Sequence, residues 1–436
     1  MPGLAARRAA LDALLAVAAQ RPLDDALDPA QSPAMASLEP RDRALARTLA
    51  RTALRRRGQI ALVLKRCLAK GLPRGAVGRR LEAILHLGAV QILFLDAADH
   101  AAVDLSVRLA LEDGEARHFR PLVNGVLRRI GREGAALLDG VSEDANLPSW
   151  LRKRWLKAWG PEAVDAMAAR FLLEPPLDLT PRGEPERWAD ALDAHLLATG
   201  TLRREATGAV SALGGFDEGA WWVQDAAAAV PARLLGDVSG QRVADLCAAP
   251  GGKTAQLAAA GARVTAVDRS EHRLGRLREN MARLGLDVAV ETADVSQWTP
   301  AEPFDAILLD APCSATGTIR RHPDVPYLKR EADLAALTAL QDRLIGHALD
   351  LLRPGGRLVY CTCSLEPEEG EARIKALIRG GAAVRRVPIT PDEVGGIAEW
   401  INDQGELRIL PHVLPGPTPE LSGSDGFFAA RLERMR

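Results

Sequence analysis

From Gln241 onward, short apolar runs rich in β-branched residues alternate with helical stretches. The runs fall at 242–246, 263–267, 288–291, 306–309 and 357–360, with a long helix expected over 332–352 before the last. Strands that alternate with helices build a parallel sheet with crossover helices on its faces. Such a sheet binds its ligands outside the carboxyl ends of its strands. The residues immediately after each run are therefore the first candidates for a functional site.

The first third of the chain follows another rule. Apolar residues recur three and four apart over 4–19, 42–57, 59–68, 77–95, 101–111 and 119–130, which is the helical period. Breaks such as Gly71-Leu-Pro73 separate the segments, and no strand pattern intrudes. An all-helical domain of about 130 residues is expected, then a linker over 131–148 rich in Gly and acidic residues. A helix over 149–171 carrying Trp150, Trp155 and Trp159 follows, and then a small α+β unit over 177–222. With 436 residues the chain exceeds one ordinary domain. The expected division is 1–135, 136–225 and 226–436.

Composition excludes some classes. No run of about 18 apolar residues is present, so no membrane span is expected. The opening stretch has helical apolar spacing and reads as a folded helix rather than a signal peptide. Five cysteines (Cys67, Cys247, Cys313, Cys361 and Cys363) in so long a chain do not form a disulfide framework, which points to a reducing cytoplasm. The net charge of −1 is uninformative, but residues 1–145 carry 22 Lys and Arg against 17 Asp and Glu. The cluster Arg51, Arg55, Arg56 and Arg57 suits either a polyanionic partner or a solvated helix face.

After the first strand comes Asp245-Leu-Cys-Ala-Ala-Pro-Gly-Gly-Lys-Thr254. Gly251 and Gly252 let the backbone turn tightly into a helix and approach a ligand. The Walker spacing is absent, so this is not a P-loop. The second strand is followed by Asp268, placed to accept hydrogen bonds from ribose hydroxyls, and the third by Asp294, placed near an adenine. Either acid could instead cap the following helix. Up to this point a dinucleotide and S-adenosylmethionine are not separated. The fourth strand ends in Asp310-Ala-Pro-Cys313-Ser-Ala-Thr-Gly317 and the fifth in Tyr360-Cys-Thr-Cys363-Ser364. Neighbouring strands lie about 4.8 Å apart. If these two are adjacent, Cys313 and Cys363 share a cavity with Asp310, an arrangement a dehydrogenase does not use. A zinc site finds no second CxxC and few histidines. Cys361 alternates with Cys363 and should face the core, while Cys247 and Cys67 read as small buried hydrophobes.

On these motifs the chain resembles the RNA 5-methylcytosine methyltransferases of the NOL/NOP/Sun class, and within it the RsmB (Sun) branch, the 16S ribosomal RNA methyltransferases. The resemblance covers nearly the whole chain. Gly88-Ala-Val-Gln-Ile-Leu-Phe-Leu95 and Leu122-Val-Asn-Gly-Val-Leu-Arg-Arg129 are similar to the NusB-like RNA-binding fold. Pro148-Ser-Trp-Leu, Val223-Gln-Asp225 and Asp425-Gly-Phe-Phe428 fit the middle segment and the C-terminal strand. Ala229 and Leu177-Asp-Leu-Thr180 depart from the family's usual residues.

The resemblance implies a multidomain chain: an all-α NusB-like N-terminal domain and an α/β Rossmann-like class I methyltransferase domain, with a small α+β segment between them. It implies Cys363 as nucleophile, Cys313 as the cysteine of product release and Asp310 as the contact to the base. It assigns a metal-free S-adenosylmethionine pocket to Cys247, Ala248, Ala249, Pro250, Gly251, Gly252, Lys253, Asp268, Arg273, Asp294 and Asp310. Arg320-Arg321-His322-Pro323 matches a loop close to the substrate. The chemistry is coherent: carbon 5 of cytosine is a poor nucleophile until a thiolate adds to carbon 6. In its acid form, Asp310 could protonate N3. The implied partner is ribosomal RNA presenting a single-stranded or flipped-out cytosine to a monomer. The competing expectations are an RNA-binding assembly factor with vestigial methyltransferase activity, and a nucleotide-dependent oxidoreductase.

Overall fold

The computed structural model describes residues 3–95 and 97–436. They form two compact units, one of residues 1–172 with 321–330, the other of 173–320 with 331–436.

The first unit is helical throughout. Its principal helices are Leu4–Ala18, Pro40–Arg55, Arg57–Cys67, Ala76–Phe94, Asp99–Glu112, Arg120–Leu138 and Ser149–Phe171. Alanine and leucine at helical spacing give each helix one buried stripe, with Ala6, Ala10, Leu49, Ala53, Ile60, Leu85 and Leu127 enclosed. Close approach requires small residues: a Cβ on Gly88 would lie 2.5 Å from Leu127 Cδ1.

The stretch expected to be a linker is instead part of this unit. The helix from Arg120 runs on to Leu138, because 131–138 contains no proline and Leu137 is buried. Arg66 donates to the carbonyls of Leu137 and Asp139 at 2.7 and 3.0 Å, and Gln59 N donates to Asn146 Oδ1 at 3.0 Å. The following helix kinks at Gly160 (φ 79°) and buries Trp155 against Phe171.

Residues 321–330 arrive in this unit from far along the chain. Leu23 N donates to Asp324 Oδ2 at 2.8 Å, and His322 Nδ1 lies 3.0 Å from Asp24 Oδ2. The Tyr327 hydroxyl faces the carbonyls of Leu54 and Asn146 at 3.2 and 3.3 Å. The arginine cluster serves the same packing. Arg57 stacks over Tyr327 (4.6 Å) and Arg56 over Phe94 (4.7 Å), Arg51 pairs with Asp24 (3.5 Å), and Arg55 is 7% exposed. Arg55 is enclosed, whereas Arg51 and Arg57 keep about a third of their side chains exposed, so packing takes up part of this cluster.

The second unit holds two sheets. Strands β1 (Leu177–Pro181), β2 (His195–Leu196), β3 (Leu202–Arg204) and β4 (Trp221–Val223) form a small antiparallel sheet in the order β2-β3-β1-β4. The larger sheet contains β5 (Arg242–Leu246), β6 (Arg263–Asp268), β7 (Ala289–Thr292), β8 (Phe304–Asp310), β9 (Leu352–Thr362), β10 (Val384–Arg386), β11 (Leu407–Ile409) and β12 (Phe427–Arg434). Its order is β10-β12-β9-β8-β5-β6-β7, with β11 pairing β12. Strands β5 to β9 run parallel, and β12 and β10 are antiparallel additions.

The chain leaves β5 toward β6 and β7, then returns to place β8 on the other side of β5. In sheets of this kind such a reversal is where the loops diverge and ligands bind, here after β5 and β8. Helices Gly252–Ala259 and Asp333–Asp350 are two of those covering the faces. Among the described residues, no helix is long and apolar enough to cross a membrane.

Candidate active site

The loop after β5 is held open by backbone geometry. Cys247 has φ 63° and Gly251 φ 103°, both in the left-handed region. Cys247 N and Ala248 N both donate to Val267 O, folding the loop over the end of β6. Gly251 is needed for space as well, since a Cβ there would stand 2.8 Å from Leu277 Cγ. Pro250 precedes it, and Gly252 opens the helix that carries Lys253.

Asp268, at the end of β6, is 3% exposed. Its carboxylate accepts from Ala249 N (3.2 Å) and Ser270 N (2.9 Å), so it fixes the loop while keeping acceptor capacity for a ligand. Arg273 donates to Ala249 O and lies 3.6 Å from Asp268 Oδ2. Asp294 lies just past β7, and its Oδ1 accepts from the Ser296 amide and hydroxyl. Asp245 lies deeper. It is fully buried and accepts from Thr254 Oγ1 at 2.6 Å, while its Oδ1 has no hydrogen-bond partner. Burial pushes its carboxyl up to about 7. Asp310 and Asp268 add to the rise, against the Thr254 hydrogen bond and Lys253.

Strands β8 and β9 are neighbours, with Asp310 in register with Cys361. Cys313 Sγ and Cys363 Sγ stand 3.6 Å apart, and all five cysteines are free thiols. Lys253 Nζ donates to Asp310 Oδ2 at 2.7 Å and sits 4.8 Å from the centre of the Phe427 ring. Burial acts to lower the Lys253 ammonium, but Asp310, Cys361 and Cys363 outweigh it and hold the group firmly charged. Cys361 is enclosed, with Sγ 3.6 Å from Asp310 Oδ1. The Cys313 thiol is pushed well up, first by its hydrogen bond to Cys363, then by burial, then by the charges of Cys363 and Glu369.

Beneath the two sulfurs lies Glu369, which is also buried. Its carboxylate accepts from Ser314 N at 3.0 and 3.1 Å, from the hydroxyls of Ser314 and Ser364, and from Gln341 Nε2 at 3.0 Å. Gly317 N donates to Cys363 O at 2.9 Å, and Gly426 N to Gly317 O at 2.8 Å, which ties in the C-terminal segment.

Arg320 is 1% exposed and pairs with Asp225 and Asp425, so it does not reach outward to a substrate. It joins the Gln-Asp segment, the loop after β8 and the entry to β12. Beside it, Arg203 and Asp178 make a second buried pair at 2.6 Å, and Arg203 also donates to Leu421 O and Gly423 O.

Sequence reasoning places Lys253 in the cofactor pocket without foreseeing that its ammonium lies on Asp310. It misses Glu369, Asp245 and Phe427. A buried acid in a Glu-rich turn carries no sequence signal of its burial. Asp245 alone has one, since it closes a strand beside a glycine loop.

Known proteins are similar over almost the whole chain. The family profile described as 16S rRNA methyltransferase RsmB/F matches residues 232–433, and the NusB family profile matches 4–132. A ribosomal RNA small subunit methyltransferase B from Klebsiella pneumoniae is 36% identical over 425 residues, covering 93% of each chain. One from Xanthomonas campestris is 38% identical, covering 80% of this chain and 83% of its own. Among solved structures, PH0851 shares the fold with a TM-score of 0.77 at 22% identity, covering 100% of this chain and 99% of its own. A methyltransferase homolog protein from Pyrococcus horikoshii covers 66% of this chain and 95% of its own, with a TM-score of 0.55 and 26% identity. On the extent and level of these matches, this chain belongs to the RsmB/F family of 16S rRNA methyltransferases.

Proposed function

We propose that this protein methylates carbon 5 of a cytosine in 16S ribosomal RNA from S-adenosylmethionine, with Cys363 adding covalently to carbon 6. The observation that carries this reading is the 3.6 Å approach of Cys313 Sγ to Cys363 Sγ at the ends of adjacent strands, beside the Lys253–Asp310 ion pair.

The residues after β5 and β6 fit the donor. The partnerless Asp245 Oδ1 and the enclosed Asp268 carboxylate offer acceptors for an ammonium group and ribose hydroxyls. Residues 247–253, Asp268 and Asp294 would hold it, with Arg273 bracing the loop. When bound, S-adenosylmethionine supplies an electrophilic methyl group on a sulfonium.

The chain's own groups divide the remaining work. The charged Lys253 ammonium stabilises a Cys363 thiolate through the attraction that holds its own proton. Addition of that thiolate to carbon 6 moves an electron pair onto the ring, and N3 takes a proton. Lys253, which donates to Asp310 at 2.7 Å, supplies that proton by way of the Asp310 carboxylate. Return of the pair from N3 makes carbon 5 nucleophilic. For release, the carbon 5 proton leaves to a base, its electron pair closes the 5–6 double bond, the carbon 6–sulfur bond breaks, and the N3 proton returns through Asp310 to Lys253. Cys313, kept as a neutral thiol, donates a hydrogen bond to the departing Cys363 thiolate.

A stacked base does not expose carbon 6, so the target cytosine must be unpaired or flipped out. A monomer is the proposed working unit.

The test is a pair of substitutions. Cys363→Ala should abolish both methylation and the protein–RNA adduct, whereas Cys313→Ala should accumulate the adduct on denaturing gels. Full activity in Cys363→Ala would overturn the mechanism. Bisulfite sequencing of ribosomal RNA from a deletion strain identifies the target, and an unchanged pattern would refute the proposed substrate.

A further inference from the structure

We infer that Glu369 is the positioning residue that sets the spacing of the two sulfurs and reserves Cys363 for attack and Cys313 for release. This rests on the two-cysteine mechanism proposed above and deepens it.

Glu369 ends the 3-10 turn Pro367–Glu369, a few residues past the nucleophile. One carboxylate there binds the residue after each cysteine. Ser314, which follows Cys313, donates its amide to both oxygens and its hydroxyl to Oε2. Ser364, which follows Cys363, donates its hydroxyl at 2.6 Å. The two hydroxyls lie 3.1 Å from each other, and Ser364 Oγ in turn accepts from Glu366 N at 3.0 Å. Gln341 donates to Pro312 O (2.9 Å) and to Glu369 Oε1 (3.0 Å), which anchors the clamp to the helix Asp333–Asp350. The main-chain carbonyl of Glu369 accepts from the Tyr360 hydroxyl at 2.7 Å.

A buried carboxylate is costly unless its acceptor sites are filled. Here they are filled by the two loops whose separation determines the sulfur–sulfur distance. The β8 and β9 strands alone place Asp310 opposite Cys361. Beyond those strands, the clamp and the Gly317–Cys363 hydrogen bond govern where Cys313 and Cys363 meet. The clamp also brings negative charge close to Cys313, which helps keep that thiol protonated. Such a group touches neither substrate nor cofactor and acts only through the cysteines.

Glu369→Gln preserves size but puts an amide where donors converge. The expected result is a fall in kcat on the order of 10²-fold with KM for RNA unchanged. The covalent RNA adduct should accumulate, and alkylation of Cys313, followed by mass spectrometry, should begin at lower pH than in the parent protein. Ser364→Ala removes one donor and keeps the carboxylate, and should show a weaker form of the same pattern. It serves as the test if Glu369→Gln does not fold. A loss of kcat without adduct and without a shift in Cys313 alkylation would mean a merely structural acid and overturn the proposal. So would unchanged kcat. Cys313→Ala is assayed alongside. If it traps no adduct, the underlying mechanism fails. If it does and Glu369→Gln does not, only the role of Glu369 falls.

Discussion

Lys253 sits at the centre of the site, between the acid and the sulfurs. Its ammonium donates to Asp310, lies over Phe427, and is kept charged by Asp310 and by the nearby sulfurs against the cost of burial. A cation so placed acts on the thiolate and on the proton at N3 more than on the donor. Lys253→Met should therefore lower the single-turnover rate on the order of 10²- to 10³-fold, the scale of losing one preorganised electrostatic contact. The dissociation constant for S-adenosylmethionine, measured by calorimetry, should change only a few-fold. A rise in that constant as large as the fall in rate would make donor binding the chief work of Lys253.

At the scale of elements, the site depends on how closely three loops meet at the carboxyl edge of the sheet. Gly317 is the contact point. A Cβ there would lie 2.0 Å from Gly426 O and 2.9 Å from Cys363 O, both main-chain atoms that cannot swing aside. Gly317→Ala should cost about 2 kcal/mol or more, which lowers Tm by roughly 4–8 °C in a unit of this size. It should also silence methylation by displacing Cys363. Gly275 provides the contrast. It lies within the helix Glu271–Leu284, and an added Cβ would meet no other atom within 4 Å, so Gly275→Ala should stabilise by about 0.5–1 kcal/mol. Equal melting shifts in the two variants would refute the packing argument.

At the scale of the whole molecule, the two units should respond to acid with opposite sign. His86, buried in the helical unit, is pushed down to about 3, first by burial and then by Arg57. It stays neutral when folded, so stability is lost as pH falls below about 6.5, where the unfolded histidine takes up a proton. Asp245, buried in the other unit, is pushed up to about 7 by burial first. It binds a proton when folded, so stability rises as pH falls from 7 toward 4. Each effect is on the order of 3–4 kcal/mol. Calorimetry between pH 7 and pH 4 should show the transition of the helical unit falling relative to the other. His86→Leu and Asp245→Asn should each remove one limb of that divergence. Transitions that move in parallel in all three proteins would contradict it.

Periodicity in the sequence determined the helical third, the parallel sheet and the loops that carry Gly251, Asp268, Asp310, Cys313 and Cys363. These are local signals, since a helix or a strand buries one face and its spacing records which one. Only the tertiary structure decided what those residues meet. The arginines at 51–57 fit either a polyanion patch or a solvated helix face in the sequence, and only the fold brings them against Asp24, Phe94, Glu82 and Tyr327. Residues 131–138 read as linker and fold as helix because Leu137 found a core to enter. Glu369 looks like any surface acid, and Arg320 like part of a loop near the substrate. Their burial depends on donors and partners tens or hundreds of residues away. The strength of a charge depends on what surrounds it, and that is settled only when distant segments pack together.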